Sequence, residues 1–82
     1  MAKRPRAAQE SKRFQQELRR LGLSVRQVRT RRGWTLETAA ERMDLDPTHL
    51  AKLEAGNINL TFATLVRIAR GLDVAIADLF KA

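Results

Sequence analysis

Apolar residues recur along the first third of the chain at steps of three and four, the spacing of a single stripe along an α-helix. The residues of this stripe are Phe14, Leu18, Leu21, Val25 and Val28. Because the stripe keeps its phase across Gly22, it predicts one continuous helix over about 10–32. Ser24 and Gln27 also have the spacing of a capping box, so a break between two helices near Gly22 is the alternative.

Capping and turn-forming residues divide the rest of the chain into short helical segments. The residues that predict these boundaries are Gly33, Thr35, Asp46, Pro47, Gly56, Thr61 and the turn Gly71-Leu72-Asp73-Val74. The predicted helices cover about 36–43, 47–55, 62–72 and 76–80. One face of the fourth helix is apolar, with Phe62, Leu65, Ile68, Ala69 and Leu72. With the first helix, these elements predict a compact all-α domain of five helices.

The chain of 82 residues carries its positive charge at the front. Residues 1–32 hold eleven Lys or Arg and two Glu, whereas residues 33–82 hold five basic and seven acidic residues. We therefore expect a flexible basic arm over 1–8 before a single domain over 9–82. A basic end on a slightly acidic body indicates a polyanionic partner, bound through phosphate neutralisation. A solvated tail that only aids solubility is the alternative.

Composition weighs against several other classes of protein. The chain has no cysteine and one histidine, and it shows no glycine-rich loop that would hold phosphates. We therefore expect no disulfide, no metal site, no cofactor and no enzyme activity. The basic start is not followed by an apolar stretch, and no long apolar run occurs, so neither a secretory leader nor a membrane span is expected. These features favour a soluble, intracellular protein.

Two short helices joined by three residues have the local geometry of a helix-turn-helix. The stretch 35–56 has small Ala40 where the two helices would touch, Met43 and Leu45 beside the turn, and Leu53-Glu54-Ala55-Gly56 after the second helix. In these positions it resembles the lambda-repressor-like, Cro/Xre-type family of bacterial and phage regulators. Matches outside this stretch include Leu21-Gly22, Val25, Arg29, Gly33, Leu65, Ile68, Ala69, Leu72, Val74 and Leu79.

Three positions depart from the family pattern. Asp44 stands where glycine is usual, at a position expected to need a positive φ, which Asp tolerates at some cost. Leu36 replaces a polar residue that contacts a phosphate in the family, and Leu60 replaces a common proline. We therefore expect backbone N–H groups and the basic arm to contribute more of the phosphate binding.

The resemblance implies a sequence-specific regulator that binds double-stranded DNA as a homodimer and reads the major groove with helix 47–55. It assigns base reading to Pro47, Thr48, Ala51 and Lys52. Of these, only Thr48 and Lys52 donate hydrogen bonds to bases. The backbone contacts that we expect come from Lys3, Arg4, Arg6, Thr35, His49, Asn57 and Asn59. Solvated surface positions are the alternative for each polar residue.

Other residues are expected to have structural roles. Arg29 and Glu54 match a paired Arg and Glu of the family, and Trp34 is expected to fill the core between the first two helices. The dimer interface is predicted at Ile58, Val66, Ile76 and Phe80. An antitoxin-type autoregulator with an unknown toxin partner and a protein-interaction adaptor are the alternative functions.

Overall fold

The computed structural model describes the backbone of residues 3–81 and the side chains of residues 11–81. Four α-helices follow one another: α1 at Lys3–Arg31, α2 at Leu36–Met43, α3 at Pro47–Glu54 and α4 at Phe62–Leu72. A short 3₁₀ helix at Ile76–Phe80 completes the fold. The predicted all-α class and the helix-turn-helix of α2 and α3 are confirmed.

Helix α1 runs through Gly22 without a break, as the continuous hydrophobic stripe predicted. The structure does not show the flexible arm expected over 1–8, because α1 already begins at Lys3. Pro5 lies in the first turn of this helix, where its missing N–H removes no intrahelical hydrogen bond. Met1 and Ala2 lie outside the described residues. The division into an arm and a domain starting at residue 9 stays a prediction.

The prediction of a fifth α-helix at 76–80 was wrong, because this segment is a 3₁₀ helix. It has only five residues, and its backbone closes from Asp78 N to Ala75 O, at 3.0 Å, the i to i+3 pattern of that helix type. The Asp78 carboxylate also accepts a hydrogen bond from Ala75 N at 3.2 Å. A single turn tightened in this way has too few residues to build α-helical hydrogen bonds.

The predicted caps explain where the other helices begin. Thr35 accepts a hydrogen bond from Thr38 N at 3.1 Å, and Thr61 accepts one from Thr64 N at 3.1 Å. Each hydroxyl satisfies a backbone donor that has no partner within its helix. Local sequence therefore sets the first residue of α2 and of α4.

Helices α2 and α4 end on aspartates in the left-handed conformation. Asp44 follows α2 with a φ of 57°, which confirms the positive φ expected there, and Asp73 follows α4 with the same value. Gly71 lies inside α4, whose bounds agree with the predicted helix over 62–72, and the chain turns at Asp73. A Cβ at Gly71 would lie 2.7 Å from Met43 Cγ, so the glycine allows α4 to pack closely on α2.

The core lies where all five elements meet. Its fully or nearly fully buried apolar residues are Leu18, Leu21, Val25, Ala39, Ala40, Met43, Leu50, Leu53, Ile68, Ala69, Leu72 and Leu79. Leu50 and Leu53 anchor α3 from its inner side, which leaves the opposite side of α3 facing outward. Among the described residues, no helix combines the length and the apolar character that a membrane span requires.

Candidate nucleic-acid interface

Helix α3 presents one side to the core and the other to solvent. Leu50 is fully buried and Leu53 is 2% exposed. Thr48 and Lys52, one helical turn apart, are exposed, while Pro47 and Ala51 beside them are half-buried. The four residues expected to read bases thus share the outer face of α3. Its two side chains that can donate hydrogen bonds, Thr48 and Lys52, lie one above the other along the helix.

The start of α3 is held by its cap and by the turn before it. The Asp46 carboxylate accepts hydrogen bonds from Thr48 N at 2.9 Å and from His49 N at 3.3 Å. In the turn, Leu45 N donates to Ala40 O at 2.8 Å. Ala40 is fully buried, which agrees with the small residue expected where α2 touches α3. The first turn of α3 therefore has a defined direction relative to α2.

The end of α3 is tied to α1 by the predicted Arg29–Glu54 pair. Arg29 Nε donates to Glu54 Oε2 at 2.6 Å, and Arg29 Nη2 donates to Glu54 Oε1 at 3.0 Å. The side chains are only 12% and 7% exposed. The hydrogen bond to Glu54 raises the pKa of Arg29 above its usual value, against the opposing effect of burial. Both ends of α3 are thus fixed by polar contacts, and its middle by the core.

Arg29 also links the pair to the loop before α2. Its Nη1 donates to Trp34 O at 2.9 Å. The Trp34 side chain is half-buried and packs against the core, as expected from the sequence. Its ring also faces two guanidinium groups, with Arg42 Cζ at 4.3 Å and Arg32 Cζ at 5.3 Å from the ring centroid. These contacts could not be predicted from the sequence, because Arg42 lies on the last turn of α2 and no motif connects it to Trp34.

The residues expected to contact phosphates differ in their exposure and in their contacts. Asn57 and Asn59 are exposed beyond the end of α3, and His49 is half-buried. The Thr35 hydroxyl caps Thr38 N and also donates to Thr38 Oγ1 at 3.1 Å. Leu36 packs against the core. The side chains of Lys3, Arg4 and Arg6 lie outside the described residues.

The four residues predicted for a dimer interface differ in exposure. Ile58 and Ile76 pack against the chain's own core, and Val66 is half-buried. Phe80 is 51% exposed. Phe14 and Phe62 belong to apolar helix faces that were expected to face the core, yet Phe14 is 48% and Phe62 is 70% exposed. In the described part of the chain, no group of three or more His, Cys, Asp or Glu side chains is placed to hold a metal ion.

Comparison with known proteins identifies the same architecture. The Helix-turn-helix family matches residues 25–79. The HTH-type transcriptional regulator SutR of Escherichia coli (strain K12) is 38% identical over 54 residues, which is 66% of this chain and 30% of that protein. The chain therefore spans about a third of the length of this relative.

Two solved structures are similar over most of the chain. The restriction-modification controller protein C.AhdI from Aeromonas hydrophila has 30% identity and a TM-score of 0.75, over 77% of this chain and 96% of its own. The clp gene regulator ClgR from C. glutamicum has 30% identity and a TM-score of 0.70, over 74% of this chain and 79% of its own. These proteins are regulators and not enzymes, in agreement with the class expected from composition. The chain belongs to the Cro/C1-type helix-turn-helix family.

Proposed function

We propose that this chain is a sequence-specific transcriptional regulator that binds double-stranded DNA as a homodimer, with α3 in the major groove. The observation that carries the proposal is the outer face of α3, where Thr48 and Lys52 are exposed along one line. The opposite face is buried, and both ends are held by hydrogen bonds. A short helix fixed in this way has the form needed to lie along base edges.

The side chains of this face suit specific base contacts. Lys52 can donate to guanine O6 and N7, and Thr48 can donate to a base or place its methyl against a thymine methyl. Pro47 and Ala51 offer only apolar contact with thymine. Each good base contact discriminates by about 1–3 kcal/mol. Two donors therefore favour a short site with few fixed bases.

Phosphate contacts would then come from elements around α3. The backbone N–H groups at the start of α2 are suited to a phosphate, because Leu36 has no polar side chain to offer. Asn57 and Asn59 follow α3 and are exposed. Lys3, Arg4 and Arg6 add positive charge at the start of α1, His49 adds a ring N–H, and the Thr35 hydroxyl adds a polar group. These contacts would position α3 without reading sequence.

A homodimer follows from the small number of reading residues. One α3 recognises too few base pairs to select a site in a genome, whereas a two-fold pair doubles the contact. The half-sites would lie roughly 34 Å apart, one turn of DNA. Such a regulator would act at the nucleoid, in the cytoplasm.

Among regulator types, we propose a controller of the restriction-modification kind. The observation in favour is the similarity to the controller C.AhdI, which extends over 96% of that protein. An antitoxin and a protein-interaction adaptor are the competing functions. No contact in the described residues favours either of them.

Selection of bound sites from a random DNA library tests the proposal. We expect an enriched site with two related halves about one helical turn apart. On that site, Lys52→Ala should weaken binding about 5- to 100-fold, the equivalent of one base contact. Lys81→Ala removes an exposed charge from the C-terminal end and serves as the matched control. Weak retention without any enriched sequence would reject the proposal and favour an adaptor.

A further inference from the structure

Three arginines from two helices line one depression beside the turn between α2 and α3. Arg42 comes from the last turn of α2, and Arg67 and Arg70 come from α4. Met43 and Asp44 complete the walls, and the cavity volume is about 450 Å³. This volume lies within the range of sites that hold small ligands, about 300–1,000 Å³. We call this site the arginine depression.

The arginine depression concentrates positive charge in a part of the chain that is otherwise acidic. Residues 33–82 hold five basic and seven acidic residues. Of the five basic residues, Lys52 lies exposed on α3, and Lys81 pairs with Asp78 at 3.3 Å. The other three are the arginines of the depression, and Asp44 is the one acidic residue in its lining. Three positive charges and one negative charge leave the lining with a net positive charge.

The hydrogen-bond donors of these arginines are unused within the described side chains of residues 11–81. Each guanidinium has five N–H donors. No hydrogen bond or ion pair of the described side chains involves the guanidinium of Arg42, Arg67 or Arg70. Arg42 and Arg70 lie in the last turns of their helices, where they interact favourably with the helix dipole. Arg67 lies in the middle of α4, so the helix dipoles do not account for all three arginines.

Two close contacts set the shape of the arginine depression. A Cβ at Gly71 would lie 2.9 Å from Arg42 O, so the backbone next to Arg70 lies against the end of α2. The Arg42 guanidinium lies over the Trp34 ring, with Cζ 4.3 Å from the ring centroid. A guanidinium stacked on a ring keeps its N–H groups available for an anion. Arg42 is therefore held in place by a contact that uses none of its hydrogen-bond donors.

We propose that the arginine depression binds a small phosphate-bearing anion with two or more negative charges. The planar guanidinium matches the geometry of phosphate and can donate two parallel hydrogen bonds to it. The three guanidinium groups come from two helices and line a single cavity. This arrangement fits a compact anion better than an extended acidic peptide, which would need basic side chains spread along a longer surface.

The arginine depression lies away from the proposed DNA contacts. Helix α2 packs against both α3 and α4, whereas α3 and α4 have little contact with each other. The start of α2 is the end proposed to meet a DNA phosphate, and Arg42 lies about 9 Å further along the helix axis than Leu36. With α3 in the major groove, as proposed above, the depression would hold a free ligand and not the DNA backbone. Ligand binding itself does not require that α3 binds DNA.

Titration of the full chain with inorganic pyrophosphate, without DNA and at constant ionic strength, tests the site by NMR of the backbone amides. We expect saturable shifts, largest at residues 42–45 and 67–72, with a Kd below about 1 mM. Arg70→Gln should raise this Kd at least about 10-fold, the effect of losing one charge-assisted hydrogen bond. Arg13→Gln is the matched control, because it removes the same charge from an exposed position on α1.

A second variant, Asp44→Asn, should gain affinity. It removes the one negative charge of the lining, and asparagine tolerates the left-handed conformation of residue 44. We expect pyrophosphate binding to tighten about 3-fold, because a like charge no longer opposes the anion. A misfolded protein would not bind more tightly, so this gain tests the site independently of any loss in Arg70→Gln. Unchanged or weaker binding in Asp44→Asn would contradict the proposal.

Other results would also overturn the site. These are the absence of saturable shifts at millimolar pyrophosphate, shifts centred on α1, or equal losses in Arg70→Gln and Arg13→Gln. Binding of a polyglutamate peptide without binding of pyrophosphate would assign the depression to an acidic protein partner instead. A shallower salt dependence of DNA binding in Arg70→Gln, again without pyrophosphate binding, would assign it to the DNA backbone. Failure of the chain to bind any DNA would count against the proposed function and not against the pyrophosphate site.

Discussion

Arg29 in α1 and Glu54 at the end of α3 form a two-point ion pair between residues 25 positions apart in the sequence. Both side chains are almost buried, and Arg29 donates a third hydrogen bond to Trp34 O. The pair therefore connects the long helix, the loop before α2 and the helix that we propose reads DNA. Its planar, forked geometry restricts the angle of α3 more than a lysine could.

Removal of Glu54 should be costly, because it leaves the almost buried Arg29 guanidinium without its carboxylate partner. We expect Glu54→Ala to lower the free energy of unfolding by roughly 3 kcal/mol, measured by chemical denaturation. Because the pKa of Arg29 is raised, the stability that its protonation contributes is fully present at neutral pH and is lost only as the pH rises through that raised, strongly alkaline value. Stability should thus not change between pH 7 and 10 on account of Arg29.

The exposed pair of Glu17 and Arg20 provides the control for this measurement. Its closest atoms are 3.5 Å apart, and the side chains are 59% and 57% exposed. Solvent screens such a pair, so Glu17→Ala should change the free energy of unfolding by less than about 1 kcal/mol. Equal losses in the two variants would show that burial of the Arg29–Glu54 pair has no special role.

Gly22 should respond to substitution in the direction opposite to helix propensity. Within a helix, Gly to Ala is favourable by up to about 1 kcal/mol. A Cβ at Gly22, however, would overlap the backbone carbonyl oxygens of Leu53 and Glu54 at the end of α3. We expect Gly22→Ala to destabilise the protein by about 2 kcal/mol, with a lower melting temperature, because backbone atoms must move.

A second variant, Gly33→Ala, distinguishes this packing effect from backbone strain. A Cβ there meets no atom within 4 Å, but φ is 72°. Gly33→Ala should therefore cost only about 1 kcal/mol, the strain of the left-handed conformation. A Gly22→Ala variant as stable as the wild type would show that α1 and α3 are not in close contact.

Local features of the fold could be predicted from the sequence, because they depend on neighbouring residues. The caps at Thr35, Asp46 and Thr61 set the starts of α2, α3 and α4 within one residue. Features that depend on distant contacts could not be predicted. The close approach of Gly71 to Met43 becomes visible only when α2 and α4 are packed together. The exposure of Phe14 likewise depends on how far the other helices extend along α1.

The site shows the same division. The outer face of α3 follows from its helical phase and from Leu50 and Leu53, which point inward. The Arg29–Glu54 pair was found only because the family pattern contains it, since no local spacing joins residues 25 apart. Phe62 shares a helical face with Leu65 and Ile68. Helical periodicity shows which face a residue lies on, but it does not show whether another helix covers that residue. An exposed ring at the start of α4 therefore required the structure.

Asp44 offers a stabilising substitution. Its φ of 57° strains any residue with a Cβ, and glycine adopts this conformation freely. We expect Asp44→Gly to raise the free energy of unfolding by about 0.5–1 kcal/mol, whereas Asp44→Ala should lower it. Asp46→Ala, two residues later, should cost about 1 kcal/mol through loss of the α3 cap. If Asp44→Gly were destabilising, the Asp44 side chain would make an interaction that outweighs the strain.

Trp34 can report on its own stacking, because it is the only tryptophan in the chain. Arg42 lies closer to the ring than Arg32. Arg42→Ala should therefore shift the fluorescence emission of Trp34 to longer wavelength and cost about 0.5–1 kcal/mol of stability. Arg32→Ala should have a smaller effect on the emission wavelength and on the stability. A larger shift in Arg32→Ala would reverse the assigned order of the two guanidinium groups.

The basic start of α1 should contribute to DNA binding in a salt-dependent way. Residues 3–8 are part of α1, so Lys3, Arg4 and Arg6 belong to one continuous helix. We expect replacement of all three by Ala to make the slope of log binding constant against log salt shallower by about 0.9 for each phosphate that is no longer neutralised. Sequence preference should not change, because phosphate contacts carry no base information.

Replacement of Arg67 and Arg70 by Ala, on the exposed side of α4, is the control, because it removes positive charge away from α1. An unchanged slope in the first variant, or an equal change in the second, would show that the start of α1 does not touch DNA.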